Sequence, residues 1–207
     1  MVPSFNAQPM NQNRVLVLFA HPAPHLSRVN RRLADAARTV AGVYVHDLYE
    51  TYPDFYLDIA REHALIAQAG ALVFLFPLHW YSMPSLLKEW CDEVFREDWT
   101  AGDGGGAARG KTCWLVTSTA GAADEFAPGA RHGRPFADFL VPIEQMAAVC
   151  GMHWIAPHVL HGANEVGPAA VDAHIDGFLQ RLRQIAGPEP LSANLPPNLN
   201  LARPNGT

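Results

Sequence analysis

Three cysteines in 207 residues, none in a C-x-x-C pair, leave little basis for a disulfide framework or a thiolate metal centre. Cys91, Cys113 and Cys150 each stand among apolar neighbours, the setting of buried reduced thiols. Charge is sparse too. Asp, Glu, Lys and Arg make up 17% of the chain, the formal net charge is -5, and no basic run occurs. Proteins that bind nucleic acid or anionic lipid need a basic surface, so small molecules or proteins are the expected partners. The longest apolar runs stop well short of a membrane span, and residues 1–14 lack the basic flank and apolar core of a secretory signal. The expectation is a cytoplasmic protein. With 49% hydrophobic residues, the chain has enough apolar side chain for the core of one sizeable domain.

What is present is a regular alternation of apolar runs with helical spacing. Val15–Ala20, Val43–Leu48, Ala71–Phe76, Thr112–Ser118 and a run from Met152 to Pro157 or slightly beyond read as strands. The first and third are continuous apolar runs, as expected where helices cover both faces of a parallel strand. Ser27 is placed to cap a helix carrying Val29, Leu33, Ala36, Ala37 and Val40 up to Gly42. Asp58 begins a second helix, ended by Gly70. Ser82 as cap and Pro84 in the first turn start a third, with Leu87, Trp90, Cys91, Val94 and Phe95 at helical spacing. Pro135–Cys150 and Ala169–Ile185 complete the set, and Tyr49–Tyr56 reads as an aromatic loop. Five strands alternating with five helices predict an α/β fold, a doubly wound five-stranded parallel sheet with helices on both faces. Residues 1–13 read as a loose extension, 14–186 as the domain, and 187–207 as an extended tail rich in Pro and Asn.

Function in such a sheet gathers where strands end. After the first strand, His21 to Asn30 brings imidazole, hydroxyl, guanidinium and amide groups to a helix N-terminus, where amides and dipole favour a phosphate. The loop lacks the G-x-G-x-x-G dinucleotide fingerprint. Ser27 also reads as a plain cap and His21 as a packed loop residue. After the third strand, Pro77, Leu78, His79, Trp80 and Tyr81 offer ring faces, ring edges and backbone amides. A flat, partly apolar ring with a polar edge suits them, a flavin being one such ligand, although Trp80 and Tyr81 also suit a packed surface loop. After the fourth strand, Thr117 to Ala122 is small and amide-rich, fit for the close approach of a ring edge. Gly105 to Thr112 matches the P-loop pattern G-x-x-x-x-G-K-[ST], yet here the glycines come after a helix and before a strand, which leaves Lys111 away from the strand ends. His158 and His161 lack a helical setting and a third ligand, so no metal site is expected.

Two segments carry a resemblance. Phe76 to Phe95, together with Ala20-His21-Pro22, Ser27 and Asn30, resembles the flavodoxin-like NAD(P)H:quinone oxidoreductases, and within them the ancillary oxidoreductases of Kef glutathione-gated potassium-efflux systems. The resemblance spans roughly residues 15–185. It implies FMN, with FAD as the alternative, and NAD(P)H as reductant of a quinone by way of the flavin. His21, Ser27 and Asn30 would contact the ribityl-phosphate or pyrophosphate, and Pro77, Leu78, His79, Trp80 and Tyr81 the ring. Thr117, Thr119 and Gly121 fall in a third flavin loop that is usually Thr-Thr-Gly-Gly, from which this chain departs at Ser118 and Ala120. Phe126 and His132 stand where many relatives carry a Tyr and a His proposed to relay protons. Phe126 has no hydroxyl, which leaves His132 as the catalytic candidate. The resemblance further implies a homodimer that uses Leu48 to Phe55, and docking at the inner face of the cell membrane on a Kef-type transporter. Two alternatives stay open: a regulatory subunit with incidental redox turnover, and a flavin-free domain that binds a small ligand.

Overall fold

In the computed structural model, which describes residues 15–96 and 105–187, the apolar runs become five parallel strands. They are β1 Val15–Phe19, β2 Val43–Asp47, β3 Ala71–Pro77, β4 Thr112–Ser118 and β5 His153–Leu160. Between them run α1 Asn30–Ala37, α2 Leu48–Thr51, α3 Ile59–Gln68, α4 Ser85–Val94, α5 Val141–Val149 and α6 Pro168–Ala186. Every residue of β1 and β3 is buried. Side chains alternate along a strand, so both faces must be covered, and two separate cores do this. Leu16, Leu18, Leu72, Phe74, Phe76 and Leu115 pack under α3, α4 and α5. Val17, Phe19, Val73, Leu75 and Val116 pack under α1 and α6. The strand order is β2-β1-β3-β4-β5. The chain therefore reverses direction between β1 and β3, and the loops leaving those two strands part to open a crevice at their carboxyl ends. The doubly wound sheet expected from the sequence is the sheet observed. The expected extension, the tail and part of the glycine-rich connection lie outside the described residues.

The differences are local and have physical causes. Val29, not Ser27, stands at the N-cap of α1, because Pro24–Leu26 forms a 3-10 turn first. Ser27 still serves the helix, its hydroxyl accepting the Arg31 amide at 3.1 Å. Pro84 takes the N-cap of α4, and Ser82 lies in a turn before it. Within the expected aromatic loop, Asp47 caps the short α2 by accepting the Glu50 amide. The helix expected from Pro135 begins as a 3-10 turn, Phe136–Phe139, and becomes α5 only at Val141, where Pro142 needs no N–H partner. β5 runs beyond Pro157 to Leu160. A register shift between Trp114 and Val116 puts Ala156 and Pro157 in a bulge, where a missing N–H is tolerated at a sheet edge.

Two buried polar groupings have no signature in the sequence. Glu62 on α3 is fully buried and receives three donors: His46 of β2 at 3.0 Å, Trp90 of α4 at 2.8 Å, and the Tyr52 hydroxyl. It ties α4, whose start carries the crevice loop, to α3 and β2. Across the sheet, the rings of His158 and His174 stack at 3.9 Å, and His158 donates Nε2–H to the His174 carbonyl. Burial, then the neighbouring His158, lowers His174 from 6.5 to about 4, and burial lowers His158 as well. A histidine held low stabilises the fold above its unfolded value of 6.5, and that contribution is lost as the pH falls towards 4. The full shift corresponds to roughly 3 kcal/mol, which solvent screening brings to ~1–2 kcal/mol. The expected result is a melting temperature that drops between pH 7 and pH 5 in the parent and stays flatter in His174→Leu. Equal acid slopes in the two would contradict it.

Candidate functional site

The crevice is bounded by the loops that leave β1, β3 and β4. On the β1 side, His21 is buried and its Nδ1 accepts the Ala23 amide at 3.1 Å. That bond fixes the neutral Nε2–H form, and burial, then His79 and His25, lowers the imidazole to about 4. His21 therefore acts as a neutral donor. Asn30, the first residue of α1, is 2% exposed; its Nδ2 donates to Ser118 Oγ at 2.8 Å while its Oδ1 has no partner. A buried unpaired acceptor costs on the order of 1–3 kcal/mol, which a ligand hydroxyl at this position would recover. Arg28 donates to the Asn164 carbonyl at 2.8 Å and so draws the loop after β5 to the same mouth. His21, Ser27, Asn30, Pro77, Leu78, His79 and Ser118 line a cavity of about 150 Å³. That is below the ~300–1,000 Å³ that encloses a whole drug-sized ligand, so it suits the narrow tail of a ligand whose ring rests outside.

On the β3 side, Pro77 closes the strand and Leu78 donates its amide to the Ser118 carbonyl at 2.9 Å. His79 and Ser82 then exchange backbone bonds at 2.9 and 3.0 Å across a two-residue turn. Its central residues, Trp80 and Tyr81, have φ of 46° and 64°. Such turns normally use Asn-Gly, and holding bulky residues there costs on the order of 1–3 kcal/mol each. Both side chains are exposed, Trp80 at 93%. Tyr81 is anchored by stacking on Phe139, 4.8 Å between ring centres.

In the β4 loop the hydroxyls turn inward. Thr117 is fully buried, and its hydroxyl donates to the Phe76 carbonyl at 2.7 Å, so it braces the floor instead of facing the crevice. Thr119 is likewise turned inward, bonded to the Gly121 carbonyl at 2.8 Å and to His161 Nδ1 at 2.9 Å. Ser118, absent from the expected contacts, is the residue that orients Asn30. Gly121 fits because it has no side chain: a Cβ there would lie 2.5 Å from His132 Nε2 and 2.8 Å from Glu125 Oε2. Gly121→Ala is expected to displace the His132 ring, read as a changed ring resonance in NMR with circular dichroism unaltered.

His132 sits in an aromatic nest against Gly121 of the loop after β4. Phe126 stacks on it at 4.2 Å, and Tyr81 Oη lies 3.3 Å from its Nδ1. Glu125, whose Oε2 accepts the Ala122 amide at 2.9 Å, lies 3.9 Å from His132 Nε2. The Ala122 amide, followed by Arg131 and His132, holds the Glu125 carboxyl below its usual range. Lys111 lies just before β4, at the opposite end of the strands, and donates to the Ala69 carbonyl. The glycines before it form a 3-10 turn that leads to a strand, so the P-loop match has no phosphate-binding helix behind it. Cys91, Cys113 and Cys150 are buried, and burial raises all three thiols, Cys113 to about 12, which keeps them out of nucleophilic chemistry.

A family model described as the flavodoxin-like fold matches residues 13–186. The chain belongs to this flavodoxin-like family. Among solved structures, general stress protein 14 from Treponema denticola, in complex with FMN, superposes with a TM-score of 0.78 at 31% identity, over 83% of this chain and 99% of that one. A protein described as a thermophilic tryptophan halogenase from Streptomycin violaceusniger gives 0.75 at 32% identity, over 79% and 95%. An NADPH-quinone reductase from P. pentosaceus gives 0.74 at 25% identity, over 82% and 98%. These matches carry the sequence resemblance as far as the flavodoxin-like quinone reductases, and membership of the potassium-efflux subgroup is a matter of proposal.

Proposed function

We propose that this flavodoxin-like protein is an FMN-dependent NAD(P)H:quinone oxidoreductase. The observation that carries the reading is the buried, unpaired Asn30 Oδ1 at the β1/β3 crevice, an acceptor that a ribityl hydroxyl would satisfy. Around it, the neutral His21 donor, the Ser27 hydroxyl and the first turn of α1 suit a phosphate. The exposed rings of Trp80 and Tyr81, in the loop after β3, suit contact with a planar ring. Flavin, when bound, takes a hydride equivalent from NAD(P)H and passes two electrons to the acceptor; the chain's residues bind, orient and manage protons. The relatives that bind FMN or bear the name quinone reductase support this choice over FAD and over a flavin-free role.

The finer assignment is a cytoplasmic homodimer that docks as the ancillary subunit of a glutathione-gated potassium-efflux transporter. Supporting it, Phe55 and Tyr56 stand 43% and 84% exposed at the end of the Leu48 to Phe55 segment that resembles the Kef interface. Exposed aromatics clustered in this way mark contact surfaces. Light scattering on the purified protein tests the dimer, with a dissociated Tyr56→Glu variant as the expected companion result.

The main reading is tested by the absorbance spectrum of the purified protein, mass analysis of the released cofactor, and anaerobic addition of NADPH and of NADH. The expected outcome is a yellow protein that bleaches and regains its colour with a quinone. A colourless protein that neither takes up FMN nor oxidises either nucleotide would overturn it.

A further inference from the structure

We propose that Tyr81, His132 and Glu125 form a phenol–imidazole–carboxylate relay in which Tyr81, from the loop after β3, gives the acceptor its proton. The inference rests on the quinone-reductase reading. Two-electron reduction of a quinone to a hydroquinone by a hydride equivalent also consumes a proton, and a group at the crevice must deliver it. Phe126 has no hydroxyl, and His132 stands behind its neighbours with its side chain only 14% exposed. The ring beside the imidazole that reaches solvent is Tyr81, at 43% exposure in the loop after β3, and its Oη is 3.3 Å from His132 Nδ1. The two rings meet edge to face, 5.6 Å apart at 77°.

The far side of the imidazole completes the chain. His132 Nε2 is buried without a hydrogen-bond partner and lies 3.9 Å from Glu125 Oε2. A positive charge on the ring would find its counter-charge there, and would pull the pair into hydrogen-bond range. Glu125 is itself held by the Ala122 amide and by Arg131. Phe126, stacked on His132 at 21°, sets the plane of the ring, and the strained turn at Trp80–Tyr81 sets the reach of the phenol. Tyr81 is thus the catalytic residue, and His132 and Glu125 are positioning and recharging residues. This revises the direct role that the sequence suggests for His132.

Atoms and electrons balance in the step. NAD(P)H, by way of the flavin, would supply a hydride equivalent, that is, the electron pair and one of the two hydrogens of the hydroquinone. The Tyr81 O–H bond breaks as an O–H bond forms on the acceptor oxygen. The proton on His132 Nδ1 moves to the phenolate, the neutral imidazole keeps Nε2–H towards Glu125, and solvent returns a proton to Nδ1. Among the described residues, Arg131, on Glu125, and His161, across Phe126 at 5.3 Å, are further titratable groups beside this relay.

The test compares the parent, Tyr81→Phe, and Tyr81→Phe with Phe126→Tyr, all loaded with FMN and reduced with NADPH. Stopped-flow reoxidation is monitored with a quinone, which needs a proton, and with ferricyanide, which accepts one electron without one. The ratio of the quinone rate to the ferricyanide rate is expected to fall on the order of a hundredfold in Tyr81→Phe and to recover in the double variant. A ratio within about threefold of the parent would overturn the relay. A second arm needs no flavin. In the full chain, nitrogen-15 NMR of His132 is expected to show a shifted Nδ1 in Tyr81→Phe and a shifted Nε2 in Glu125→Gln, because the group facing each nitrogen has been changed. If either change fails to occur, the relay is overturned. A protein that binds no FMN but shows both changes would sink the quinone-reductase reading and leave the hydrogen-bonded chain standing.

Discussion

Glu62→Ala is expected to lower stability by about 3–5 kcal/mol, since removing one partner of a buried charge cluster leaves the others desolvated and unpaired. His46 and Glu62 are both essentially inaccessible, and Trp90 and Tyr52 lose their acceptor as well. For a chain of this size the loss corresponds to a fall of roughly 6–20 °C in melting temperature. Glu62→Gln keeps a carbonyl acceptor for Trp90 or Tyr52, so its loss should be about half as large. The pH dependence has a definite sign. Burial alone would raise the carboxyl; the bonds and charge from His46, then Tyr52 and Trp90, outweigh it and hold Glu62 below 4.5. Stability from such a group is present above the unfolded value and is lost as the pH falls through the folded one. The parent should therefore lose stability steeply in acid, and Glu62→Ala less so. Urea denaturation of the flavin-free protein checks this, because bound cofactor would mask it by mass action. A loss under about 1 kcal/mol would mean that the cluster is not the tie between α3, α4 and β2 that its bonds suggest.

Ser27→Ala combined with Asn30→Ala should weaken FMN binding on the order of a hundredfold, the equivalent of two hydrogen bonds. Asn30 contributes twice, through its unpaired Oδ1 and through its hold on Ser118. Ser27 contributes a hydroxyl at the first turn of α1. Quenching of flavin fluorescence on titration gives the affinity, and circular dichroism establishes that the variant is folded. Lys111→Ala is the control: its ammonium group lies at the far end of the strands and bonds the Ala69 carbonyl, so FMN affinity should be unchanged. Loss of affinity in Lys111→Ala, or retention in the double variant, would place the phosphate elsewhere.

The crevice loops are legible in the sequence because each comes after an apolar run long enough to identify its strand. Val15–Phe19 and Ala71–Pro77 are buried on both faces, and that demand is written in consecutive residues. Helix ends are less legible. Pro24–Leu26 and Phe136–Phe139 tighten into 3-10 turns that the apolar spacing does not distinguish from a longer α-helix. The position of Thr117 in the chain suggests a crevice residue. The pairing of Phe76 with Thr117 turns its hydroxyl onto the neighbouring carbonyl instead. The absence of a hydroxyl at Phe126 is plain in the sequence. The phenol of Tyr81 at His132, 51 residues away, is not.

The sequence by itself determined the doubly wound architecture, the strands that end at the crevice, and the exclusion of the P-loop. Each depends on local order along the chain: which residues are apolar in a row, and which residues flank them on either side. Only the tertiary structure decided which polar groups meet: Asn30 with Ser118, Glu62 with its three donors, Tyr81 with His132 and Glu125. Those pairs join residues from different strands, helices and loops, and hydrogen bonding is directional within a few tenths of an ångström. Such geometry exists only once the sheet has set its register and the helices have packed against it.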